Sequence, residues 1–122
     1  MNERSQLLKG TLEGCILKVI GDTETYGYEI SEKLKANGIS VVSEGTIYPL
    51  LLRLEKNEML AAVYKDSSLG PKRKYYTLTK KGKASLHEFY LNWCELQKFV
   101  DTLFCEYEEE QDNVKTTGSQ KE

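Results

Sequence analysis

Side chains able to make or break covalent bonds are few in this sequence and poorly placed for it. The one histidine, His87, sits among polar neighbours with no acid or nucleophile at a useful spacing, and it reads as a surface residue. Cys15, Cys94 and Cys105 are odd in number and show no CxxC spacing, so neither a zinc site nor a disulfide framework is suggested. Cys94 and Cys105 stand about 16 Å apart along a helix, too far for a bond within one chain. Small apolar packing residues are the simpler reading of both, with a cross-chain disulfide or thiol sensor left open. No catalytic residue, metal ligand or cofactor is expected. What recurs instead are hydrogen-bonding groups and cations: Thr46, Tyr48 and Arg53, then Lys72, Arg73, Lys74, Lys80, Lys81 and Lys83, with no acid from 72 to 83. These groups bind; they do not react. Short polar side chains at a helix N-terminus suit base edges, while the free N–H groups there and clustered cations suit phosphates.

Such groups need a scaffold, and the stretch from Ser43 to Leu60 supplies its centre. Ser43 is a candidate cap, Glu44 and Gly45 follow, and Ile47, Leu50, Leu51 and Leu54 repeat at helical spacing on one face. Pro49 is expected within the first turn or so, where a missing N–H is tolerated, and Asn57 stops the helix before Met59 and Leu60. The other face then presents Thr46, Tyr48, Pro49 and Arg53, as a recognition helix would. Arg53 stays open between DNA and an internal ion pair with Glu55 or another acid.

Upstream, Leu8, Leu12, Cys15, Ile16, Val19 and Ile20 share one face of a single first helix closed by Gly21 and Asp22. Gly10 and Gly14 inside it each cost about 1 kcal/mol relative to alanine, which predicts close approach of a neighbouring helix; a locally weak helix is the alternative. Thr25 is the expected cap of a second helix over 26–38, with Ile30 and Leu34 inward, Glu32, Lys33 and Lys35 outward, and Asn37-Gly38 at its end. Residues 39–42 then lead into the recognition helix, giving a helix-turn-helix. Tyr26 and Tyr28 read as core aromatics or as phosphate contacts, and a phenol can do both. After Met59 the period changes: 61–65 and 74–79 are expected strands joined by the SSLGP turn, a hairpin wing. Its cations could be a solvated face, but beside a recognition helix they fit backbone or minor-groove contact better.

From Thr79 to about Glu106 one long helix is predicted. Leu86, Phe89, Trp93, Leu96, Val100, Leu103 and Tyr107 are spaced 3-4-3-4-3-4, a heptad seam. Tyr90, Phe99 and Phe104 widen the apolar stripe, so this helix is expected to pack on the first helix and on a partner subunit. Phe89, Trp93, Leu96 and Phe99 concentrate aromatic surface beyond what a leucine seam needs, and across a dimer axis they would form a slot for a flat apolar ligand. Packing of Trp93 against the first helix alone is the alternative. From Glu108 onward apolar periodicity is lost and a disordered tail is expected.

The net charge of −2 conceals a division: residues 1–83 carry +4 and residues 84–122 carry −6. A basic body suits nucleic acid whatever the overall balance, because screening confines surface charge to about 10 Å. No apolar run of membrane-spanning length and no signal-peptide pattern are present, so a cytoplasmic protein is expected. The predicted class is mainly α with a small β-hairpin: a winged helix-turn-helix over 1–83, a dimerisation helix over 84–107 and an acidic or polar tail over 108–122.

YGYEI at 26–30, EGTIYPLLLRLEKNEML at 44–60 and GPKRKYYTLTKKG at 70–82 together resemble the signature of the PadR family of bacterial winged-helix transcription regulators. The single long C-terminal helix is similar to the smaller subfamily, whose members are homodimers that exchange this helix. The resemblance implies repression at a palindromic operator, with two recognition helices reading it. It also points to a tryptophan at the dimer interface, as in a PadR-like group linked to multidrug response, and hence to a small aromatic or phenolic effector. Combining both lines, DNA contact is expected from Lys9, Tyr26, Tyr28, Ser43, Thr46, Tyr48, Pro49, Arg53, Lys72, Arg73 and Lys74. Dimerisation is expected through Leu86, Phe89, Trp93, Val100, Leu103 and Tyr107, and ligand contact through Phe89, Trp93, Leu96 and Phe99. The alternatives are a winged-helix protein-interaction module that does not touch DNA, or a MarR-like regulator.

Overall fold

The computed structural model describes residues 3–39 and 43–107. In chain order it contains α1 (Glu3–Lys9), α2 (Leu12–Asp22), β1 (Thr25–Tyr26), α3 (Gly27–Ala36), α4 (Glu44–Lys56), β2 (Leu60–Ser67), β3 (Gly70–Leu78) and α5 (Lys80–Leu103). The described chain forms two units, one up to Phe89 and one from Tyr90. The expected tail from Glu108 and most of the 39–42 connection lie outside the described residues. Among the described residues no helix is long and apolar enough to cross a membrane.

The first unit is mainly helical with an antiparallel sheet of order β1-β3-β2, the winged-helix arrangement. Ile16, Leu17 and Ile20 of α2, Ile30 and Leu34 of α3, and Ile47, Leu51 and Leu54 of α4 meet Leu60 and Tyr76 from one sheet face in a single core. Ile47, Leu51 and Leu54 are thus the inward face that their spacing predicted, with Leu50 partly buried beside them. Each such side chain contributes roughly 1.5–3 kcal/mol when fully buried.

Several boundaries differ from the sequence expectation. The first helix is two: Gly10 and Thr11 form a turn in which the Thr11 hydroxyl donates to the Leu8 carbonyl (3.0 Å), and α2 restarts at Leu12. Gly10 meets nothing close, whereas a side chain at Gly14 would collide with the Phe89 ring, so the predicted close approach holds for Gly14 alone. Thr25 is not the cap of α3. It lies in β1, opposite Tyr76, and its hydroxyl reaches Glu29 in the first turn (2.6 Å), leaving Tyr26 at the cap position. The wing is longer than expected: β2 and β3 pair from Leu60↔Leu78 to Ser67↔Gly70, with an irregularity between Lys65 and Ser67, so only Ser68 and Leu69 form the turn.

Both helices of the helix-turn-helix end in the same way. At α3 the Ile39 N–H donates to Leu34 O (2.9 Å) and the Gly38 N–H to Lys35 O (3.0 Å), with Gly38 at φ 95°. At α4 the Met59 N–H donates to Leu54 O and the Glu58 N–H to Glu55 O (both 2.9 Å), but here the left-handed position, φ 62°, is occupied by Glu58. The Glu58 carbonyl accepts the Thr79 hydroxyl (2.6 Å), which in turn caps α5 by accepting the Gly82 N–H (3.0 Å). Gly82 is buried directly against the Met59 carbonyl.

Candidate nucleic-acid interface

Helix α4 opens at Ser43, whose carbonyl accepts the N–H groups of Thr46 (3.0 Å) and Ile47 (3.1 Å). The Ser43 hydroxyl makes no capping bond and lies 3.3 Å from the Thr46 hydroxyl. The N–H groups of Glu44 and Gly45 therefore point out of the helix end, as phosphate binding requires. Pro49 is the sixth helical residue, a little deeper than the first turn, and sits at the middle of the exposed face, opposite the buried Ile47 and Leu51. Its missing N–H falls opposite the Gly45 carbonyl, which is at the surface.

The two flanks of this face are held differently. On one flank Thr46 is exposed and Arg53 pairs with Glu13 of α2, another acid than Glu55. Both partners are largely exposed, so the pair orients Arg53 more than it stabilises the fold. On the other flank Tyr48, 46% exposed, lies across the start of α3: a Cβ at Gly27 would stand 2.6 Å from its ring. Tyr48, Leu52, Tyr26, Gly27, Tyr76, Arg73 and Lys74 line a cleft of about 320 Å³ between α4 and the wing.

The wing cations divide by sheet face. Lys74 projects toward α4 and bonds Glu55 (2.6 Å), a pairing that raises its pKa against the opposing effect of partial burial. It braces the wing to the recognition helix. Arg73, on the opposite sheet face, lies over the Tyr26 ring at 4.6 Å, and Tyr26 meets Tyr75 edge-on at 5.3 Å. The Tyr75 hydroxyl, and then the Tyr26 phenol, raise the Arg73 pKa further, so the guanidinium stays charged and oriented. Lys65 pairs with Glu24 and lies 5.2 Å from the Tyr75 ring. Lys72 is exposed. Tyr28 is exposed at the start of α3, its pKa raised chiefly by the neighbouring Glu32 carboxylate, and neither it nor Tyr26 belongs to the core. Lys9 is exposed at the end of α1. Lys80, Lys81 and Lys83 lie in the first turn of α5, not on the wing.

Ser43, Thr46, Tyr48, Pro49, Tyr26, Tyr28, Lys72 and Arg73, the candidate contacts, are thus carried by elements fixed to one core. Sequence reasoning missed Leu52 and Leu69, which are 59% and 95% exposed. A run of three leucines at 50–52 cannot all face inward on a helix, and that signal could have placed Leu52 outside.

Of the seam residues, Leu86 and Phe89 pack on α2 near Gly21 and Gly14. In the second unit Trp93, Leu96, Phe99, Val100, Leu103 and Tyr107 are 39–71% exposed. A shallow groove of about 400 Å³ on this helix is lined by Cys94, Gln97, Lys98, Asp101, Thr102 and Cys105, and so includes none of the four residues expected to hold a ligand. Cys94 and Cys105 are exposed, whereas Cys15 is half-buried and burial raises its thiol pKa.

The model of the transcriptional regulator PadR-like family matches residues 16–88. A PadR-like transcriptional regulator from Bacillus cereus is 53% identical, with 80% of this chain and 95% of that one aligned at a TM-score of 0.74. A Streptococcus transcriptional regulator is 44% identical over 80% of this chain and 96% of its own, at 0.73. Bacillus subtilis PadR, solved in complex with operator DNA, is 27% identical over 66% of this chain and 45% of its own, at 0.61. The match spans most of α2, both helices of the helix-turn-helix, the wing and the start of α5, and the chain therefore belongs to the PadR-like family: it is a winged-helix, DNA-binding transcriptional regulator and not an enzyme.

Proposed function

We propose that this protein is a cytoplasmic repressor that binds a palindromic operator as a homodimer and is released by a small aromatic or phenolic effector. Thr46, Tyr48 and Pro49 read the major groove, while Ser43, Tyr26, Tyr28 and Lys9 hold flanking phosphates. Lys72 and Arg73 extend the grip from the wing; Lys74 and Arg53, paired with Glu55 and Glu13, position the surface around them. The observation that carries the assembly is the apolar stripe of α5, where Trp93, Leu96, Val100, Leu103 and Tyr107 are all exposed in a single copy. That much uncovered apolar surface on one helix needs a partner, and a second copy gives the twofold arrangement a palindrome requires. A flat ligand beside Trp93 and its partner's counterpart would alter the angle between the two recognition helices and so the half-site spacing.

Sedimentation of the full chain at micromolar concentration tests the dimer, and a monomer there would defeat the reading. Truncation before Leu86 is expected to abolish dimerisation and tight operator binding. Saturable quenching of Trp93 by planar aromatic compounds, with loss of operator affinity in proportion, tests the effector. If a broad panel changes neither, α5 serves assembly alone. A MarR-like assignment is set aside by family membership, and a module acting only on proteins would show little loss of binding with salt, whereas DNA binding falls steeply.

A further inference from the structure

The wing carries a residue that neither core packing nor cation contact accounts for. Leu69 is 95% exposed, the most exposed of the large apolar side chains among the described residues, and it stands at the apex of the two-residue turn between β2 and β3. That apex is built to be stiff. The Ser67 hydroxyl donates across the turn to the Pro71 carbonyl (2.7 Å), Gly70 takes φ 146°, and the irregularity between Lys65 and Ser67 twists the end of the hairpin. Directly behind it on β3 come Lys72 and Arg73, the second fixed over Tyr26 at 4.6 Å, and from residue 60 to 78 the only acid is Asp66. An aliphatic tip with cations roughly 10 Å behind it matches a groove with phosphates on its rims. A single leucine ringed by charge is far too small an apolar patch to be a protein interface.

We propose that Leu69 is a wedge that the wing inserts into the DNA minor groove, where it partly unstacks one base step and so selects DNA by its deformability. The inference deepens the DNA-binding reading and rests on it. Aliphatic wedges of this kind kink a duplex by about 20–90° and act most easily at flexible pyrimidine–purine steps. Leu69 would therefore impose a preference at a position where the protein makes no hydrogen bond to a base.

The test uses the full chain, its Leu69→Ala and Leu69→Met variants, and duplexes selected by each from a random library. Bending is read by energy transfer between the duplex ends, and affinity is measured across a salt series. With the wild type, a TA or CA step should recur at a fixed distance from the bases read by α4, and the duplex should bend. Leu69→Ala should lose that enrichment, bend DNA less and bind the selected duplex about tenfold or more weakly, at an unchanged salt slope because no phosphate contact is removed. Leu69→Met should keep all three properties. Unchanged step preference and bending in Leu69→Ala would overturn the proposal. So would a loss of affinity accompanied by a shallower salt slope, since Leu69 would then serve only to place Lys72 and Arg73. If the wild type itself retains no duplex at any salt, the DNA-binding reading fails and the wedge with it. A urea midpoint equal to that of the wild type confirms that Leu69→Ala is folded.

Discussion

Replacing Gly82 by alanine offers a sharp trial of how the recognition helix is joined to α5. In an exposed helix this change would stabilise by about 1 kcal/mol, because glycine loses more backbone freedom on folding. Here the added Cβ lands on the carbonyl oxygen of Met59, a backbone atom with no rotamer to escape into. The start of α5 must move away, and three bonds meet at that point: Thr79 N–H to Met59 O (3.1 Å), the Thr79 hydroxyl to Glu58 O (2.6 Å) and the Gly82 N–H to the Thr79 hydroxyl (3.0 Å). At about 1 kcal/mol each the loss is about 3 kcal/mol, and the helix gain reduces it to about 2 kcal/mol. Urea unfolding at one fixed protomer concentration is the assay, since assembly alters apparent stability. Gly10→Ala, where nothing lies near the added atom, should be neutral or better and serves as the control. A Gly82→Ala protein as stable as the wild type would mean that the junction is not close-packed and that the reasoning fails.

Other outcomes follow from single contacts. The Ser31 hydroxyl is buried without a hydrogen-bond partner among the described residues, so Ser31→Ala should raise stability by about 1 kcal/mol in the same urea assay. The Lys74 pKa is raised by Glu55; its contribution to stability should be complete below the ordinary lysine value, about 10.4, and decline as pH rises through the raised one. Glu55→Gln should flatten that decline in thermal melts above pH 10, and an unaltered profile would exclude the pair as its cause. Burial holds the Cys15 thiol protonated, so a maleimide at pH 8 should label Cys94 and Cys105 well before Cys15, as peptide mapping over time would show.

What could be read from the sequence was what local spacing determines. Ile47, Leu51 and Leu54 declared their face because a helix repeats every 3.6 residues, and the change to alternation after Met59 declared the wing. Strand β1 could not be seen: two residues form a strand only because Tyr75 and Tyr76 lie beside them, and that neighbour is fifty positions away. The same strand took Thr25 from its expected capping role. Lys74 looked like a free cation for a similar reason, since Glu55 lies 19 residues distant, and the acid that pairs with Arg53 could not be named because Glu13 lies 40 residues away. The end of α4 was legible from Asn57, which is its cap, although the left-handed position just beyond, usually glycine or asparagine, carries Glu58.

A wing that is to reach DNA, as proposed above, cannot be covered by other elements, and the sheet that forms it has an open side. Strand β3 is central, flanked by β1 and β2, so the outer edge of β2, a strand of eight residues, presents the backbone groups of alternate residues without a strand partner among the described residues, and Val63 and Tyr64 are exposed along it. Such an edge invites another molecule to add a strand. The irregularity between Lys65 and Ser67, with Lys65 and Asp66 at it, interrupts the flat hydrogen-bonding row where β2 projects toward the turn. The cost is a wing of imperfect pairing. The expected return is a wing that resists edge-to-edge pairing, and an Asp66 deletion that regularised the strand would be expected to trade that property for self-association through the wings.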